Sequence, residues 1–147
     1  MLLDFTCHLI AFRRKHPNLR RHKYFQGRPI RGGDVKDIMW FRADGAEMTD
    51  EEWAAGWHRA LSLLLNGDAF EILDDKGRRV TDDTLLLLLN GHHEPIPFTL
   101  PDGVTDGRWA MVFDTNRPEL KPDKETADSE KPITLEARSL ALLRMLR

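Results

Sequence analysis

The chain has 147 residues, 41% hydrophobic and 31% charged, with a formal net charge of −2; this fits one domain able to bury a core. The near-balanced charge gives no global attraction to nucleic acid or to an anionic membrane, so neither is an expected partner. The single cysteine, Cys7, excludes an internal disulfide framework and a cysteine-rich zinc module.

No basic, apolar and small-residue leader opens the sequence, so a cytoplasmic protein is expected. Leu2, Phe5, Leu9 and Phe12 recur at helical spacing, which predicts a helix over residues 2–15. Arg13, Arg14 and Lys15 complement its dipole, and Pro17 stops it. Its apolar face must lie on this chain's own sheet or on a larger body. The pattern begins without a polar cap, as an element read from its middle would, and so hints at a truncated chain. The basic stretch 13–23 lacks interleaved aromatics and reads as a solvated helix end followed by a loop. Residues 24–36 are rich in turn formers but form no phosphate-binding pattern.

Residues 37–42 read as a strand, closed by a turn at Asp44-Gly45. Thr49 with Glu52 forms a capping-box pattern opening a helical turn, on which Trp53 and Trp57 are expected to share a face. Such tryptophans serve either as core anchors or as a sugar platform, since a flat apolar ring matches the C–H face of a pyranose. Leu61–Leu65 and Phe70–Leu73 are short apolar runs, and Asp74–Gly77 reads as a hairpin turn. The acidic pairs Asp74-Asp75 and Asp82-Asp83 lack the spacing of a calcium loop.

The run Leu85–Leu89, bounded by Asp82-Asp83 and Asn90-Gly91, predicts a strand buried on both faces, too short to span a bilayer. If the chain stays extended beyond it, His92 and Glu94 point to one side and His93 to the other, so no metal site is expected there. Ile96–Leu100 and Arg108–Thr115 read as strands, the second with Trp109, Met111 and Phe113 on one face. Residues 116–131 read as an exposed loop, and 133–146 as one closing strand, with a helix as the alternative. No repeat, nucleophile motif or carboxylate pair marked as acid and base is present, so no catalytic residue or cofactor is assigned.

Taken together, Phe5-Thr6, Leu9-Ile10, Arg13–Pro17, Asp37–Trp40, Asp44–Thr49 and Trp53 form an ordered series. It continues through Leu85–Asn90, His92-His93-Glu94, Phe98–Pro101, Trp109–Thr115 and Arg138-Ser139. This series resembles the C-terminal end of bacterial glycogen debranching enzymes of the isoamylase type, in glycoside hydrolase family 13. The resemblance implies a mostly β fold: an antiparallel β-sandwich over residues 34–147, preceded in residues 1–33 by a linker and one N-terminal α-helix similar to the last helix of a (β/α)8 barrel. The family reaction is hydrolysis of α-1,6 branch linkages in glycogen or limit dextrin by two carboxylates, carried on barrel strands that this sequence does not contain. The chain alone is therefore expected to be inactive, as a fragment, split gene product or remnant. Implied partners are α-glucan through the parent enzyme, and the catalytic barrel or a second copy through the 2–15 helix. The alternative is a stand-alone glucan-binding or interaction module, whose contact residues would be Trp53, Trp57, Asp44 and Glu47, with Trp40 a further stacking candidate.

Overall fold

A computed structural model describes residues 1–29, 36–69, 73–101, 108–127 and 130–146. Helix α1 spans Leu2–Lys15 and is followed by a 3-10 turn at Pro17–Leu19. Strand β1 (Ile38–Arg42), helix α2 (Asp50–Ala54) and β2 (Ala60–Leu65) come next. The chain then forms β3 (Leu85–Asn90), β4 (Ile96–Phe98), β5 (Trp109–Asp114), β6 (Thr126–Ala127), β7 (Ile133–Leu135) and β8 (Ser139–Met145). Six strands form one antiparallel sheet in the order β1-β2-β3-β8-β5-β6, and β4 pairs with β7 in a smaller antiparallel sheet. Among the described residues no helix is long and apolar enough to cross a membrane.

The leucine run forms β3, inside the large sheet between β2 and β8. Strand periodicity sends its side chains alternately to two cores. Leu86 and Leu88 join Met39, Phe41, Trp109 and Leu143 beneath Phe98 and Leu135 of the small sheet. Leu85 and Leu87 face the opposite side with Leu65, Val112 and Leu142, where Phe12 of α1, Leu19 and Phe25 pack. The large sheet is thus covered by the small sheet on one face and by α1 with its following turn on the other.

Helix α1 meets the sheet along one stripe. Phe5 approaches Phe113 edge-on, with ring centroids 5.9 Å apart, and Phe12 stacks on His16 at 4.1 Å. The latch at its end is buried: His16 Nδ1 lies 2.7 Å from an Asp82 carboxylate oxygen, and the other oxygen accepts the Asn18 amide at 2.8 Å. The Asn18 side chain in turn donates to the Leu65 carbonyl at 3.1 Å. Leu2, Leu3 and Ile10 remain exposed.

Several expectations are corrected. Phe113 does not share a face with Trp109 and Met111, because the β5–β8 register shifts between Met111 and Phe113. The extra residue, Val112, turns into the α1-side core and carries Phe113 with it. Residues 133–146 form two strands rather than one, separated by Arg138 at φ 50°. Part of the 116–131 loop adds the short edge strand β6. The apolar run at Phe70–Leu73 falls largely on residues 70–72, outside the described residues, but the Asp74–Gly77 turn is formed: Asp74 N–H bonds to Arg78 O and Gly77 adopts φ 73°.

Candidate functional site

The antiparallel register sets Arg42 at the end of β1 opposite Leu61 of β2, and Ala60 opposite Asn90 at the end of β3. The segments leaving these strand ends enclose an open cleft of about 610 Å³, lined among others by Arg42, Asp44, Trp57, His58, Arg59 and His92. Gly45, at φ 87°, turns the chain so that residues 46–48 run back along β1, with Arg42 N–H to Ala46 O at 2.8 Å and Met48 N–H to Trp40 O at 2.9 Å. A side chain at Gly45 would press on the Thr99 carbonyl, at 3.2 Å from its Cβ.

The capping box forms as the sequence predicts: the Glu52 amide donates to Thr49 Oγ1 and the Thr49 amide to Glu52 Oε2. Helix α2 nevertheless ends at Ala54, because Ala55 is extended. Trp57 therefore does not share a helical face with Trp53. Trp53 packs edge-on to Trp40, centroids 5.4 Å apart, whereas Trp57 stacks on His58 at 3.8 Å and 28°. Of the four residues proposed from sequence, Asp44 and Trp57 line the cleft, while Trp53 and Glu47 are not among its lining residues. Glu47 is ion-paired with Lys36. Arg42, His58, Arg59 and His92 were missed, since only strand order brings them together and no local pattern marks them.

Arg42 is the electrostatic centre of this edge. Its guanidinium grips Asp44 through two hydrogen bonds of 3.0 and 2.6 Å and also pairs with Glu52. Arg42 is correspondingly harder to deprotonate, first through the hydrogen bonds it donates to Asp44 and then through that to Glu52. The Asp44 carboxyl is held below the usual carboxylate range, chiefly by Arg42. Glu52 is lowered as well, first by the Thr49 amide and then by Arg42. Both carboxylates are depressed on folding, so their stabilisation is present at neutral pH and is lost as pH falls through their folded-state values. Near-UV circular dichroism should thus show the tryptophan environment loosening only in acid, below about pH 4. In Arg42→Ala the same change should occur at higher pH; an unmoved transition would exclude this clamp as its origin.

One exposed indole, Trp57 at 69% accessibility, offers an apolar plane beside the Asp44 carboxylate and the Arg59 and His92 side chains. Such a surface can stack a flat apolar ring face while its rim accepts and donates hydrogen bonds. Asp44 is the one carboxylate among the described lining residues, and it is already ion-paired. Retaining glycoside hydrolysis uses two carboxyl groups about 5 Å apart.

The family described as isoamylase, C-terminal, matches residues 37–143. The chain is 38% identical to a glycogen operon protein GlgX homolog of Mycobacterium tuberculosis, over 97% of this chain and 21% of that protein. It is 27% identical to an isoamylase of a Flavobacterium species, over 95% of this chain and 18% of that protein. It is also 33% identical to a glycogen debranching enzyme of Dickeya chrysanthemi, over 69% of this chain and 12% of that protein. The chain thus spans about a fifth or less of the length of these relatives. The family match begins at the residue before β1 and ends within β8, so it takes in the strands of both sheets. With that architecture in place, the chain belongs to the isoamylase C-terminal domain family.

Proposed function

We propose that this chain is the accessory β region of a cytoplasmic α-glucan debranching hydrolase and contacts glucan through the Asp44–Trp57 cleft. The observation that carries the glucan contact is Trp57, an exposed indole backed by His58 and flanked by polar groups. In this reading residues 34–147 buttress a catalytic barrel that cleaves α-1,6 branch linkages, and residues 1–33 supply its closing helix and a linker. The exposed Leu2, Leu3 and Ile10 are the face presented to that barrel. Trp53 and Glu47 take structural roles, against Trp40 and Lys36.

Isothermal titration of the chain with maltoheptaose, beside a reducing-end assay on glycogen limit dextrin, tests this. Binding without turnover is expected, with Trp57→Ala weakening affinity roughly tenfold, the equivalent of about 1.4 kcal/mol for a lost stacking plane. Trp53→Ala should leave affinity within about twofold. A flat titration at millimolar maltoheptaose, or equal losses for the two tryptophans, would refute the cleft as a glucan site.

A further inference from the structure

We infer that the turn joining β3 to β4 is a divalent transition-metal site, with His92, His93 and Glu94 as its protein ligands. An extended chain would separate these side chains, but the chain does not stay extended. It bends after Asn90, and one donor atom from each of the three residues comes within 4.8 Å of the others. The two imidazoles lie face to face, with centroids 4.2 Å apart and planes tilted by 31°.

The bend is built by a buried side chain. Asn90, only 2% exposed, shares its two amide hydrogens among the carbonyls of Glu94 at 2.9 Å, Leu135 at 3.1 Å and Glu136 at 2.9 Å. Its side-chain oxygen accepts the His92 amide at 2.9 Å. The Gly91 amide bonds to Arg59 O at 2.8 Å, and the Arg138 amide to His92 O at 3.0 Å. The backbone carrying the three ligands is thereby tied to the residue before β2, to the end of β7 and to the β7–β8 turn. Ordering it has already been accounted for by folding, which is the condition for a small ligand set to bind tightly.

Two imidazole nitrogens and one carboxylate oxygen form a borderline donor set. It suits zinc, cobalt, nickel or copper and is poorly suited to calcium or magnesium, which take oxygen shells. Tetrahedral zinc with bonds of about 2.0–2.1 Å needs donors roughly 3.3 Å apart. Closing from within 4.8 Å takes only rotamer adjustment, and His93 and Glu94 are exposed and free to make it. Glu94 N–H rests on His92 Nδ1 at 3.2 Å, a long bond whose loss costs little. Solvent would complete the coordination shell. His92 also lines the cleft, but the zinc and cobalt readouts below report on the metal without any glucan present.

The test titrates the 147-residue chain carrying Cys7→Ser, which removes the exposed thiol, with zinc in competition with a chromophoric chelator. The absorption spectrum of the cobalt form is recorded in parallel. One equivalent should bind with micromolar affinity, and cobalt should give the intense visible bands of a low-coordinate site. His93→Ala and Glu94→Gln, which remove exposed side chains, should each weaken zinc at least tenfold with unchanged urea stability. Absence of binding at 100 μM zinc, or binding that survives both substitutions, would overturn the assignment.

Discussion

Among the described glycines, Gly67→Ala should be the most damaging substitution. At this position a Cβ would lie 2.1 Å from the Asp82 carbonyl oxygen and 2.5 Å from the Asp83 carbonyl carbon. Both obstacles are backbone, so no side-chain rotation relieves the clash. The same approach is held by Gly67 N–H to Thr84 Oγ1 at 3.1 Å and Asp82 N–H to Gly67 O at 2.8 Å. Separating the segments to admit one methyl group would therefore loosen the bonds that position the start of β3. Overpacking of this kind costs up to about 3 kcal/mol, sometimes more. In urea the midpoint should fall by roughly 1–2 M at an unchanged slope. Gly56→Ala is the matched control, because nothing lies within 4 Å of a Cβ there, and it should change stability by less than about 1 kcal/mol. Equal midpoints for the two variants would mean that the Gly67 contact relaxes freely.

Asp82→Ala should rank second. The carboxylate is 6% exposed and the His16 ring 4% exposed, so neither partner can turn to water when the other is removed. The substitution leaves the His16 nitrogen and the Asn18 amide without their acceptor in a buried setting. Its expected cost of about 3 kcal/mol lies between that of a charge-assisted hydrogen bond and that of breaking a buried pair. The loss should appear first in α1, since this latch joins the helix end to the segment before β3. Asp75→Ala, on the exposed Asp74–Gly77 turn, should shift stability by no more than about 0.5 kcal/mol. If Asp82→Ala matched that control, the latch would be ornamental to stability.

The elements visible in the sequence were those whose signal is local. The leucine run, the 2–15 periodicity, the capping box at Thr49 and the Asp74–Gly77 turn each form where their own residues dictate. What escaped depends on residues distant in the chain. His92-His93-Glu94 looked extended because the bend is imposed by Asn90 reaching the carbonyls of Leu135 and Glu136. Four-residue spacing puts Trp57 on a face with Trp53 only while a helix lasts, and α2 ends at Ala54. The Phe113 reversal follows from one unpaired residue in the β5–β8 ladder, which alternation alone cannot reveal. The cleft was half legible, through Asp44 and Trp57; its Arg42, Arg59 and His92 walls required the β1-β2-β3 order.

The return of residues 46–48 along β1 has a consequence for how copies of this chain can meet. Arg42 N–H and Trp40 C=O, which would otherwise line an outer edge, are spent on Ala46 and Met48. At the opposite end of the sheet β6 offers only two residues. A strand arriving from another molecule thus finds little unpaired ladder on which to extend the sheet, and the usual template for fibrillar stacking is blunted at both ends. At the large sheet, association between copies is thus left to side chains, and Tyr24, Met1, Leu2 and Leu3 are the most exposed large apolar groups among the described residues.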